Sequence, residues 1–138
     1  MRVMVMVKAT PESEAGVMPS KEILAEMGRF NEELVKSGVM LAGEGLHPTS
    51  KAVRINFSGK ERMIVDGPFT ETKELIAGFW ILQVKSMEEA VEWMKRSPFQ
   101  ESAVELRPIF EIDDFGDAAT PEIREQNDRL RQQTEGRG

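Results

Sequence analysis

His47, the one histidine of the chain, and the carboxylate of Asp66 are the side chains best suited to chemistry. An imidazole titrates near neutral pH and can give or take a proton during a reaction. A neighbouring carboxylate can orient the ring and favour its charged form. His47 follows one strand-like segment and Asp66 ends another, so both can lie at one rim of a sheet. Asp66 opens the run Asp66-Gly67-Pro68-Phe69. There a carboxylate, a permissive glycine, a φ-restricted proline and an aromatic ring make a tight, pre-shaped turn. The same residues have a purely structural reading. His47-Pro48 is a common kind of turn, and an Asp before Gly often bonds its own backbone two residues on.

Other candidates surround this pair. Glu44 lies between Gly43 and Gly45 on the strand leading to His47, facing either a pocket or solvent. Arg54 stands on a hairpin arm, where it either clamps an anionic substrate or is simply solvated. Thr70 and Lys73, with Thr72 between them, follow the turn. They can bind a carboxylate or phosphate, or merely cap and solvate a loop. Phe69, Trp80, Met4 and Met6 read first as core or pocket wall.

Composition removes several classes. The absence of cysteine excludes disulfides, thiolate metal sites and cysteine nucleophiles. A lone histidine leaves no pair for a zincin, so no metal site is expected, although carboxylates alone leave one open. There is no Walker loop and no GxGxxG after a strand, which leaves no cradle for a nucleotide cofactor; no cofactor is expected. A GxSxG elbow is also missing. Eighteen Lys and Arg stand against 24 Asp and Glu, a net charge of −6 without a basic stripe, so direct nucleic-acid binding is not expected. The apolar start at Met1–Val7 is too short for a signal peptide, and no segment can span a bilayer. The expected location is cytoplasmic.

The elements that position the candidates follow from periodicity. Residues 2–8 alternate Val3, Val5 and Val7 against Met4 and Met6, a strand with two apolar faces. Residues 10–19 read as a loop. Ser20 caps a helix to about Ser37, with Ile23, Leu24, Met27, Phe30, Leu34 and Val35 at helical spacing and Gly38 ending it. A second strand spans 39–46, and a hairpin joins 52–57 to 62–65 across Ser58-Gly59-Lys60. Another doubly apolar strand covers 78–84. Ser86 and Glu89 form a capping box for a helix with Met87, Ala90, Val91 and Met94 inward. The last strand is expected over 104–112, with Pro108 marking an edge or a bulge. Beyond it, 113–138 reads as an acidic linker and a polar tail, with Thr120-Pro121 starting a helix. The tail is either exposed or an arm that grips a partner subunit.

This order, β-α-β, hairpin, β-α-β, predicts an α+β fold of the ferredoxin-like, split βαβ type with an inserted hairpin. Right-handed crossovers place both helices on one face of the sheet. The other face stays apolar and open, and such a surface is seldom left to water. A second copy, sheet against sheet, is the expected cover, giving a homodimer.

The run Val65-Asp66-Gly67-Pro68-Phe69-Thr70-Glu71-Thr72-Lys73-Glu74 resembles the signature of the DGPF proteins, a branch of the YCII-related family. The stretches Gly45-Leu46-His47-Pro48-Thr49 and Leu75-Ile76-Ala77-Gly78-Phe79-Trp80 are similar to the same family. The resemblance covers about residues 1–112 and leaves the tail outside. It implies a dimeric α/β barrel with His47 and Asp66 as the active-site pair. Two functions follow as expectations. One is a small cofactor-free enzyme that moves a proton, by elimination or isomerisation, on a small organic acid. The alternative is a non-catalytic binding module associated with sigma factors of the extracytoplasmic-function type, an association the family resemblance implies.

Overall fold

The computed structural model describes residues 1–136; Arg137 and Gly138, the end of the expected tail, lie outside the described residues. The chain divides into two compact units, Met1–Pro108 and Ile109–Gly138.

In the first unit the order is β1 (Arg2–Lys8), α1 (Pro11–Glu14), α2 (Lys21–Lys36), β2 (Met40–Gly45), β3 (Val53–Ser58), β4 (Glu61–Asp66), β5 (Ile76–Gln83), α3 (Met87–Lys95) and β6 (Val104–Pro108). Four strands form one antiparallel sheet in the order β2-β5-β1-β6, and β3 pairs with β4 alone. Without that hairpin, α2 joins β1 to β2 across β5, and α3 joins β5 to β6 across β1. This is the ferredoxin-like α+β arrangement.

Strand register sorts the side chains. Val3 faces Leu82 and Val5 faces Trp80 across the β1–β5 pair, all on one side of the sheet. Val3, Val5 and Leu82 are fully buried there, with Phe30 and Leu34 of α2 and Ala90 and Met94 of α3 in the same core. The Trp80 ring takes the edge of Phe30 at 5.9 Å and of Phe99 at 6.0 Å. On the other side Met4 faces Ile81 and Met6 faces Phe79, all four half-buried.

Both long helices of this unit start on serine caps. The Ser20 hydroxyl accepts from the Ile23 N–H and the Ser86 hydroxyl from the Glu89 N–H. Gly38, at φ +70°, ends α2 in the left-handed conformation that a side chain would resist. The expected capping box of α3 is half formed. The Glu89 carboxylate accepts from the Lys85 N–H and the Trp93 ring N–H rather than from Ser86. Val91 does not point inward. It is exposed, because it sits a hundred degrees of helix turn from Ala90, which takes the core position. Ile23, Leu24 and Val35 of α2 are exposed too, so Phe30 and Leu34, with the partly buried Met27, carry that helix's contact with the core.

Most expected boundaries shift by one or two residues, and two change further. Residues 10–19 are not all loop: α1 forms there, with Thr10 and Ser13 satisfying each other's backbone N–H groups and Pro11 in the first turn. The last strand stops at Pro108 and not at Ile112. Pro108 already pairs with Val3, so β1 has almost no residues left to pair, and a 3₁₀ segment over Ile112–Ala118 follows instead.

The β3–β4 hairpin turns at Gly59, φ +59°. Val53, Ile55, Phe57 and Ile64 share one of its faces and all stand exposed.

In the second unit, α4 (Pro121–Glu135) starts at Thr120, whose hydroxyl accepts from the Ile123 N–H. Arg124 pairs with Asp113 and Arg131 with Glu111, and Phe110 stacks on Phe115 at 5.1 Å. No helix among the described residues is long and apolar enough to cross a membrane.

Candidate functional site

The chain leaves β2 with the Leu46 N–H donating to the Ala77 carbonyl at 2.8 Å. His47 and Pro48 follow, and Thr49–Lys51 makes one 3₁₀ turn. The hydrogen bond fixes the segment against the start of β5 and sets His47 at the open end of the β2–β5 pair.

The Asp66-Gly67-Pro68-Phe69 turn docks onto this segment. The Gly67 N–H donates to the Ala52 carbonyl at 2.9 Å, and the Phe69 N–H donates to the Thr49 hydroxyl at 3.0 Å. The Gly67–Pro68 peptide is cis. Any Cβ at position 67 would overlap the Thr49 carbonyl oxygen, so the close approach requires glycine. Thr49 is also held from its other side. Its N–H donates to Glu14 Oε1 at 3.1 Å and its hydroxyl to Glu14 Oε2 at 2.5 Å. A carboxylate that accepts both groups fixes the loop with charge-assisted bonds.

Beside this knot lies an open pocket of about 410 Å³. His47, Thr49, Lys51, Arg54, Phe69 and Glu74 line it, with Leu46, Leu75 and Ile76 as apolar wall. The Arg54 guanidinium stacks over the Phe69 ring, 3.7 Å from its centroid. That cation–π contact orients a planar fork with its hydrogen-bond donors free along the edge. Lys51 and Arg54 outnumber the single carboxylate of Glu74, so the rim favours an anion. A guanidinium pairs well with a carboxylate, and an exposed imidazole beside it can move a proton.

The structure brings some of the predicted residues together. His47 and Arg54 line this pocket. Asp66 is the last residue of β4, opposite Val53, and its side chain is exposed. It belongs to the turn that docks on the His47 segment, but no hydrogen bond or ion pair among the described residues joins it to His47. Glu44 is not on this lining; it borders a different cavity, and its pairing with Phe79 turns its side chain to the sheet face away from the helices. Thr70 and Lys73 are exposed on the segment after Phe69 and are not part of the pocket lining.

Glu14, Lys51 and Glu74 were not among the sequence candidates. Glu14 had a readable signal. Thr10-Pro11 is the same Thr-Pro helix start that marks Thr120-Pro121, but its helix is only four residues long and makes no apolar stripe. Lys51 and Glu74 carry no signal in sequence, since charged residues in turns are usually only solvated.

An uncharacterised protein of Rhizobium meliloti (strain 1021) is 26% identical to this chain over 92 residues, 64% of this chain and 74% of its own length. Residues 1–113 match the model of the YCII-related domain, which takes in the core sheet, its helices, the hairpin and the pocket beside His47. The chain belongs to the YCII-related family.

Proposed function

We propose that this protein binds a small organic acid in the pocket beside His47 and transfers a proton on it without a cofactor. Arg54 takes the substrate carboxylate, and His47 is the acid or base. Asp66, on the turn docked against the His47 segment, is the proposed carboxylate partner of that histidine. The observation that carries the reading is Arg54, held over the Phe69 ring in the pocket that His47 lines. Preorganising a guanidinium lowers the entropy lost when it grips an anion.

The working unit is proposed to be a homodimer formed through the sheet face of Met4, Met6, Phe79 and Ile81, the half-buried side away from the helices. Burying that face removes apolar surface that water otherwise meets.

The exposed apolar ribbon of Val53, Ile55, Phe57 and Ile64 supports a second reading, a non-catalytic module that docks a protein such as a sigma factor.

The test is thermal stabilisation by a panel of small carboxylic acids, benzoate among them. At least one acid should raise the melting temperature of the wild type, and Arg54→Met should abolish the rise. Turnover of that acid should disappear in His47→Ala with binding retained. An acid response that survives Arg54→Met sinks the carboxylate-binding role. Binding without turnover in the wild type favours the non-catalytic module.

A further inference from the structure

A second cavity, of about 340 Å³, opens between α2 and the β2–β5 pair. Its walls are Ile23, Leu24 and Met27 of α2, the Trp80 ring and the β5 backbone around it, and Phe99. Gly43 makes this shape possible: a Cβ there would overlap the Trp80 ring and the end of Met40. The indole therefore lies against bare backbone at Gly43, between Phe30 and Phe99, and one part of it lines the cavity. A mostly apolar cleft of this size, lined by aromatic rings and a few polar groups, has the make-up of a small-molecule site.

The polar groups narrow the ligand class. The Trp80 ring N–H donates to Asn31 Oδ1 at 3.0 Å. That bond orients the amide, so the Asn31 Nδ2 group is left with two donors and no partner among the described residues. Among the described residues the lining carries no lysine or arginine, so nothing there offsets the cost of taking an anion out of water. The pocket beside His47 has the opposite character, with Lys51 and Arg54 on its lining.

We propose that this cavity is a separate binding site for a neutral aromatic molecule carrying one acceptor oxygen, an aryl ketone or a phenol ether. The ring packs against Trp80 and Phe99, and the oxygen accepts from Asn31 Nδ2. The site is independent of the proton-transfer reading, because it shares none of its lining residues with the pocket of His47 and Arg54.

The chain has two tryptophans, Trp80 and Trp93, so a ¹H–¹⁵N spectrum of the full-length protein holds two indole signals. Trp93 donates to Glu89 within α3 and is not part of the cavity, which makes it an internal control. Acetophenone, titrated to millimolar concentration, should shift the Trp80 signal saturably and leave the Trp93 signal in place. Benzoate, the anion of similar shape, should leave Trp80 unmoved. Asn31→Asp keeps an acceptor for the indole but exchanges the donor for a charge, and should weaken acetophenone roughly tenfold. Ile23→Arg, at a site already partly exposed, should do the same by another route and covers the case in which Asn31→Asp does not fold. An unmoved Trp80 signal, equal movement of both indoles, or unchanged affinity in a folded variant overturns the proposal. Benzoate binding that spares Trp80 belongs to the His47 pocket and leaves this one standing.

Discussion

The Thr49 hydroxyl accepts from the Phe69 N–H at 3.0 Å while donating to the Glu14 carboxylate at 2.5 Å. One side chain thus joins three segments that lie far apart in sequence: α1, the loop after β2 and the turn after β4. The pocket of His47 and Arg54 is built on this knot, and its floor moves if the knot loosens.

Thr49→Val keeps the shape of the side chain but removes both hydroxyl bonds. A half-buried carboxylate oxygen and a backbone N–H lose their partner, which should cost about 1–3 kcal/mol. Urea denaturation measures the loss, and Thr49→Ser should recover most of it. Equal stability of Thr49→Val and wild type would show that water replaces the hydroxyl fully.

Gly67→Ala should destabilise the fold by more than about 2 kcal/mol, because the new methyl overlaps a backbone oxygen that cannot swing away. Gly45→Ala is the matched control. A Cβ at position 45 meets open space, so the change should stay within about 0.5 kcal/mol. Similar melting temperatures for the two variants would contradict the close approach.

Leu34→Ala empties a fully buried position between α2 and the sheet and should cost about 2–5 kcal/mol. Val35→Ala, one residue on and exposed, should be nearly neutral. Chemical denaturation of both distinguishes the buried stripe of α2 from its solvated side.

His47→Ala should leave stability within about 0.5 kcal/mol of wild type, since the ring is exposed and makes no hydrogen bond among the described residues. Any catalysis should vanish with it. A large fall in melting temperature would instead mark His47 as a structural turn residue.

Sedimentation should show a dimer at micromolar concentration, and Met6→Glu should shift it to monomer without unfolding it. Met6 lies beside Phe79 and opposite Glu105 on the open sheet face, so an added carboxylate places like charge in an apolar contact. A compact wild-type monomer removes the homodimer from the proposed function.

Periodicity and caps made most of the fold legible before any coordinates. Alternation in β1, the helical spacing of Phe30 and Leu34, and the serine at each helix start are local signals, and local physics is enough to read them. The family signature was legible for a related reason. Gly67 and Pro68 are residue types whose backbone properties do not depend on distant parts of the chain. The depth of each apolar residue was not legible: Ile23, Leu24, Val35 and Val91 fit the same spacing as the buried positions yet lie outside the contact area. A helix covers only a narrow strip of sheet, and where that strip falls depends on the crossing of the two elements.

From the amino acids alone came the ferredoxin-like order of strands and helices, the inserted hairpin, and the histidine and acidic turn as places to look. Tertiary structure alone decided which side chains meet. It put Arg54 on Phe69, tied Thr49 to Glu14, and set Glu44 and His47 beside different cavities. The division follows from range. Turns and helix starts are set by neighbours within a few residues, whereas a pocket needs groups tens of residues apart, brought to one spot only when the sheet closes and its register is chosen.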